Sequence, residues 1–158
     1  MATITLTFVS TAFNESPNIR ELLRRCRNAH RAISEEFSGE LEIGFRFVIA
    51  DNGSHDDSVE ILEQISNLDA NIHVLVNQAN YGPEPSAANA LQEASNSDLI
   101  VLLCSDLQDP PELSVSMASM LLKKPELDAV LAIKTTSSGN SMLRMARKTY
   151  YKVLRYST

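Results

Sequence analysis

Apolar and polar residues change their period repeatedly along the 158-residue chain. Residues 3 to 10 (TITLTFVS) alternate, with Ile4, Leu6 and Phe8 on one side, which is the two-residue period of a strand. The period then lengthens, and Ile19, Leu22, Leu23, Cys26, Ile33 and Phe37 recur at helical spacing. Ser16 is placed to cap that helix, and Pro17 suits its first position, where an N–H would have no partner anyway. A second strand is predicted over 43 to 50 (IGFRFVIA), broken by Asp51-Asn52-Gly53-Ser54. Ser54 with Asp57 three residues on resembles a capping box, ahead of a helix that carries Val59, Leu62, Ile65 and Leu68 inward.

Residues 71 to 77 (NIHVLVN) read as a third strand, and a loop holding Tyr81-Gly82-Pro83 leads into a small-residue helix from about Ser86 to Ala94. Residues 98 to 104 (DLIVLLC) are almost wholly apolar, the mark of a central parallel strand covered on both faces. Asp109 and Glu112 bracket a double proline in another capping box, and Met117, Met120 and Leu121 belong to the helix that follows. Residues 127 to 134 (LDAVLAIK) predict a fifth strand, and a Ser/Gly-rich loop with a basic helix from about Met142 finishes the chain. Strand and helix alternate throughout. The fold class expected is therefore α/β, an open and mostly parallel sheet with helices on both faces and right-handed crossovers.

Composition narrows the class without changing the fold. The length is that of one domain with a real core, and the apolar and charged fractions are those of an ordinary globular protein. No apolar run approaches the 18 or so residues of a membrane span, and the first residues, Met1-Ala2-Thr3-Ile4, carry no basic region of a signal peptide. Cys26 and Cys104 lie far apart without pairing or metal spacing, which suits thiols in a reducing cytosol. Charge is uneven. Residues 142–158 hold five basic side chains (Arg144, Arg147, Lys148, Lys152, Arg155) and no acidic one, so the net −6 leaves −11 for residues 1–141. An acidic body argues against a nucleic-acid partner, because phosphates would be repelled. The basic tail reads as a solvated helix face or as a contact with an anionic membrane surface. His30, His55 and His73 are scattered and read as surface histidines.

Three polar clusters fall just after predicted strands: Asn14-Glu15, Asp51-Asn52-Gly53-Ser54, and Ser105-Asp106-Leu107-Gln108-Asp109. Singly, each is ordinary turn and cap chemistry. Together they converge on the sheet edge where open α/β sheets bind ligands. Carboxylates at a helix start repel phosphate but hold it through a divalent cation, since Mg²⁺ takes one or two carboxylates plus phosphate oxygens. No GxxxxGK[ST] loop and no GxGxxG is present, so the P-loop and the usual dinucleotide fold drop out. A receiver-like signalling domain would need an acidic pair after the first strand and an Asp after the third. The chain offers Asn14-Glu15 and Asn77-Gln78.

The segments carry a resemblance in order and spacing over essentially the whole chain. Ser10-Thr11-Ala12-Phe13-Asn14-Glu15-Ser16-Pro17-Asn18-Ile19 resembles the Pro-x-Tyr-Asn-Glu…Asn-Ile opening of family 2 glycosyltransferases, with Thr11 at the usual proline. Val48 to Ser54, followed by His55 and Asp56, resembles their Asp-Asp-Gly-Ser-x-Asp segment. Asn80-Tyr81-Gly82 with Ala87 and Asn89 resembles their Asn-x-Gly…Ala helix start. Ser105-Asp106-Leu107-Gln108-Asp109-Pro110-Pro111-Glu112 is similar to the Asp-Ala-Asp-Leu-Gln-Asp-Pro-Pro-Glu of the polyprenyl-phosphate sugar transferases, of the dolichyl-phosphate mannose synthase and bactoprenyl glucosyltransferase types.

The resemblance implies the Rossmann-like nucleotide-sugar-binding half of a GT-A fold over residues 1–134. Residues 135–158 would then be a loop and basic helix leading to an acceptor-binding half that this chain lacks. It implies UDP- or GDP-hexose as donor, a lipid phosphate, polyprenyl phosphate above all, or a sugar as acceptor, and Mg²⁺ or Mn²⁺ as cofactor. Asp51 is expected to accept a hydrogen bond from the base, and Glu15 and the backbone near Phe13 to hold the nucleoside. Gly53, Asn80, Gly82 and Ser105 complete the nucleotide-binding set, and Asp106 with Gln108 would ligate the metal. No catalytic residue is assigned, because acceptor-side residues belong to the missing half. The reaction implied is a single inverting displacement, and a phosphate acceptor is already largely ionised near neutral pH.

Cys104 stands where the family has the first Asp of its Asp-x-Asp, and a thiol suits a hard cation poorly. It reads as a small buried residue closing the strand. Cys104 and the short chain also fit an alternative, a truncated or degenerate nucleotide-binding or regulatory module without turnover. The setting expected is the cytoplasm, at the inner membrane face in the complete protein. Apolar surface left by truncation would favour a homo-oligomer.

Overall fold

The alternating run that opens the chain becomes an inner strand. The structure, a computed structural model, describes residues 1–133. Along them run β1 (Ala2–Ala12), α1 (Ile19–Glu36), β2 (Leu41–Asp51), α2 (Ser58–Leu68), β3 (Ile72–Val76), α3 (Pro83–Glu93), β4 (Leu99–Cys104) and α4 (Leu113–Lys123). The strands form one sheet in the order β3-β2-β1-β4, every pair parallel. The alternation of strand and helix thus gives the open α/β sheet its sequence implies.

The two-residue period of β1 sorts its side chains between two layers. Leu6 and Phe8 face α1, α2 and α4 and pack with Leu22, Cys26 and Ile33, with Leu62 and Ile65, and with Ala118. Burial pushes the Cys26 thiol up to about 12, so it stays a neutral core group. On the other face Val9 joins Val48 and Ala50 against Ala90 and Ala94 at the end of α3. Small residues there let the helix lie close to the sheet. In register, Ala12 lies opposite Asp51, Asp51 opposite Val76, and Thr11 opposite Cys104. The strands finish level, so their following loops leave the sheet side by side.

The structure departs from the sequence expectations at several ends. β4 is an edge strand among the described residues, not a central one, and its Ile100 and Leu102 are exposed. An all-apolar run reports that a strand is apolar on both sides, not that both sides are covered. The fifth strand expected over 127–134 is absent over 127–133, where Leu131 and Ile133 are more than four-fifths exposed. Alternation makes a strand only where an edge pairs it, and here the segment leaves a turn closed by Leu127 N–H on the Lys124 carbonyl (3.0 Å) without reaching one. Lys134, the Ser/Gly-rich loop and the basic helix from Met142 lie outside the described residues.

The caps also move. α1 begins at Ile19 with Asn18 before it, because the Ser16 N–H is taken by Asp56 (3.1 Å) and the Glu15 carbonyl accepts from both Asn18 and Ile19. Ser54 does not cap α2: its hydroxyl donates to Asp51, and Asp56 accepts the Ser58 N–H (3.0 Å) instead. Glu112 turns away from its own helix to a two-bonded pair with Arg25 (2.8 and 2.5 Å). α3 starts at Pro83, three residues before the expected Ser86. His30 is half-buried, its Nε2 2.8 Å from the Ile43 carbonyl and its ring edge-on to Phe45. No helix among the described residues is long and apolar enough to cross a membrane.

Candidate functional site

Because the strands finish level, four loops meet at their carboxyl ends and enclose an open cleft of about 230 Å³. Thr11 and Ala12 end β1 and Phe13 and Glu15 follow it, Asn52 follows β2, Asn80 and Pro83 precede and open α3, and Cys104 ends β4 with Ser105 and Asp106 after it. Of the residues expected to bind nucleotide or metal, Phe13, Glu15, Asn80, Ser105 and Asp106 line it.

A polar lattice joins the β1 and β2 loops beside the cleft. Asn14 takes a left-handed backbone (φ +56°), and its Oδ1 accepts the His55 N–H at 2.8 Å while its own N–H donates to the Ser54 hydroxyl at 2.8 Å. The Glu15 N–H donates to the Ser58 hydroxyl (3.0 Å), and the Glu15 carboxylate accepts from the Asn18 side chain (2.6 Å). Phe13 packs edge-on to His55 with ring centres 6.3 Å apart. Burial alone would raise the Asp56 carboxyl, but the hydroxyls and backbone N–H groups of Ser58 and Ser16 outweigh it and hold the group at about 2. The β1 and β2 loops are therefore one hydrogen-bonded unit.

Asp51 is not on the cleft wall. It is fully buried, and its carboxylate accepts from the Gly53 N–H (3.0 Å), the Ser54 N–H (2.9 Å) and the Ser54 hydroxyl. Its neighbour Asn52, which the sequence marks only as one member of the turn cluster, takes the wall position. Asn52 is 4% exposed; its Nδ2 donates to Asn80 Oδ1 (2.8 Å), and its Oδ1 accepts from the Tyr81 N–H (3.0 Å) and Asn77 Nδ2 (3.3 Å). The same Asn80 oxygen accepts the Gly82 N–H at 3.0 Å. Gly53 and Gly82 stand beside these contacts with φ of +76° and +93°.

On the β4 side, Ser105 is buried and Asp106 exposed. Asp106 Oδ1 accepts the Gln108 N–H (3.0 Å), and Leu107 between them has φ +62°, so the carboxylate and its own turn are fixed together. Gln108 is exposed and stands outside the cleft lining. Cys104 is exposed on the wall and not the buried closing residue its apolar strand suggests. It ends the outward stripe of an edge strand, which leaves that side chain uncovered. Among the described residues no three His, Cys, Asp or Glu side chains stand close enough to hold a metal by themselves. Asp106 fits a hard divalent ion only as one oxygen ligand among others brought by a phosphate ligand.

Comparison with known proteins matches this architecture. The family model described as Glycosyl transferase family 2 matches residues 7–157. The undecaprenyl-phosphate 4-deoxy-4-formamido-L-arabinose transferase of Pseudomonas savastanoi pv. phaseolicola is 35% identical over 109 residues, 68% of this chain and 29% of that protein. The protein of the same name from Pseudomonas paraeruginosa is 37% identical over 106 residues, 66% of this chain and 28% of its own. The chain thus spans less than a third of the length of these relatives. The crystal structure of S. aureus TarS 1-349 in complex with UDP-GlcNAc shares the fold at 20% identity, with a TM-score of 0.55 over 88% of this chain and 38% of that one. With its family model matched over nearly its full length, and the motif residues of three loops drawn into one cleft, this chain belongs to glycosyl transferase family 2.

Proposed function

We propose that this chain forms the nucleotide-sugar half of a transferase that moves a sugar from a nucleoside diphosphate to polyprenyl phosphate. The observation that carries the reading is the cleft at the strand ends, which gathers Phe13, Glu15, Asn80, Ser105 and Asp106. The lipid-phosphate acceptor is supported by the names of the relatives, which are undecaprenyl-phosphate sugar transferases. A UDP donor is favoured by the complex of the structural neighbour.

In this reading the nucleoside lies along the β1 loop, with Phe13 offering a half-exposed ring and Glu15 an acceptor oxygen. Asp51 acts one step back: it holds Gly53 and Ser54 in the turn that ties the β1 loop in place. The diphosphate lies toward Asp106 and the Ser105 side of the cleft. An acceptor phosphate oxygen forms a bond to the anomeric carbon as the bond from that carbon to the donor's diphosphate oxygen breaks. The electron pair leaves with the nucleoside diphosphate, and the configuration inverts. A bound Mg²⁺ or Mn²⁺ would supply positive charge against the departing diphosphate. Asp106, fixed by its turn with Gln108, is the residue to hold it, and Cys104 beside it contributes little to a hard ion. The protein would act at the cytoplasmic membrane face, where such an acceptor is presented.

Cys104 on the wall supports a second reading, a nucleotide-binding module without turnover. Thermal unfolding of the chain with UDP, GDP and their hexose conjugates, each with Mn²⁺ or EDTA, separates the two. A ligand at 100 times its Kd stabilises by roughly 2.7 kcal/mol, or several degrees. A metal-dependent shift with one base, lost in Asp106→Ala, is the expected result. A metal-independent shift supports the binding module, and no shift with any nucleotide for the folded chain rejects both.

A further inference from the structure

The β2–α2 loop touches both walls of the cleft, and one side chain makes the connection to the α3 wall. Asn52 spends its whole carboxamide on that wall: the donor on Asn80 Oδ1 and the acceptor on the Tyr81 N–H and the Asn77 side chain. Asn77 in turn donates to the Ser86 hydroxyl (2.9 Å), which donates to the Gly82 carbonyl (3.1 Å) inside the first turn of α3. Behind the latch, Gly53 lets the backbones touch, since a Cβ there would lie 2.7 Å from the Ala79 carbonyl carbon. The wall that carries Asn80 and Pro83 is thus clamped to the same loop that Ser54, Asp56 and Ser58 fasten to the β1 side.

We infer that Asn52 is a positioning residue for the nucleotide cleft, setting the place of residues 80–83 through its carboxamide, and that this place requires asparagine. The inference rests on the proposed function for its ligand. It assigns Asn52 no contact with the base. The requirement follows from the groups it meets. A carbonyl oxygen (Asn80 Oδ1) needs a donor, while a backbone N–H (Tyr81) needs an acceptor, and only a carboxamide of this length gives both. Aspartate keeps the acceptor, loses the donor, and sets a third carboxylate beside Glu15 and Asp106 on a cleft meant for a diphosphate. Leucine, of similar size, loses both bonds.

The test uses the full 158-residue chain and reads amide hydrogen exchange beside UDP affinity. In Asn52→Leu, exchange should rise by up to about tenfold at Tyr81, whose N–H loses its acceptor, and also rise at Gly82, whose acceptor Asn80 Oδ1 loses its anchor. In Asn52→Asp the Tyr81 amide should stay protected while Gly82, bonded to the released Asn80 oxygen, speeds up. A merely structural role would move both amides together in both variants. UDP binding should weaken by about tenfold in each variant while exchange in α1 stays unchanged. Equal exchange at Tyr81 in the unaltered chain and Asn52→Leu overturns the inference, as does unchanged UDP affinity in both variants. A chain that binds no nucleotide yet shows the amide pattern overturns the donor reading and leaves the latch standing.

Discussion

Gly53 holds φ at +76°, where an L side chain is strained, and a Cβ on it would run into the Ala79 backbone. Gly53→Ala should therefore cost about 2–4 kcal/mol, strain and displacement combined. Gly39→Ala, also at positive φ but with nothing within 4 Å, should cost only about 1 kcal/mol. Urea midpoints of the two variants check the difference, and equal losses would mean the 79–80 backbone yields freely. The same turn shows what a sequence leaves open at single residues. Asp51 and Asn52 are adjacent polar residues at a strand end, and either is a plausible ligand. The ladder decides which of them lines the cleft: Asp51 stays paired with Ala12 and Val76 and folds its carboxylate into its own loop, so Asn52 reaches the wall. Cys104 misleads in the same way, because the exposure of a strand's last side chain depends on what lies over it.

At the level of elements, helix starts are held by tertiary partners where the sequence suggests local caps. Asp56 joins the β1 loop to α2, and Glu112 joins α4 to α1. The Arg25 guanidinium holds the Glu112 carboxyl at about 2, and Asp56 is held equally low by its serine partners. Free carboxyls in an unfolded chain titrate near ~4. A pKa lower in the fold than in the unfolded chain stabilises above the unfolded value and is lost as pH falls through the folded one. Melting temperature should therefore fall from about pH 4.5 toward pH 2. Glu112→Gln should melt lower than the unaltered chain at pH 6 and converge with it near pH 2. A constant offset between the two curves would mean the pair contributes no pH dependence. Periodicity made the elements themselves legible, from β1 through α4, because each buries one stripe. It could not see Asp56 replacing Ser54 at α2, or Pro83 beginning α3 early, since those depend on contacts distant in sequence.

Over the whole molecule the two layers are unequal. Large side chains fill the side of α1, α2 and α4, while the α3 side is built on Val9, Val48, Ala50, Ala90 and Ala94. The thin layer sets how close α3 comes to the sheet, and α3 begins at the cleft wall with Pro83. Ala90→Leu should cost about 1–3 kcal/mol by overpacking and should also weaken nucleotide binding. Leu22→Ala in the thick layer should cost more, about 2–5 kcal/mol, and leave affinity nearly unchanged. Paired denaturation and binding measurements would reverse this reading if affinity followed stability in both.

The sheet order has a consequence for how the chain is made. β1 is flanked by β2 on one edge and by β4 on the other, and the bond from the Ser10 hydroxyl to the Leu103 carbonyl joins residues 93 apart. A ribosome delivers β2 soon after β1, but the remaining edge of β1 stays bare until β4 emerges. At about 5–20 residues per second that interval lasts several seconds. During it the nascent chain presents the unpaired backbone groups of β1 from Leu6 to Thr11 on an open strand edge, the kind of surface on which unfinished chains pair with each other. Slowing synthesis between α2 and β4 would lengthen that exposure, and soluble yield would fall with it.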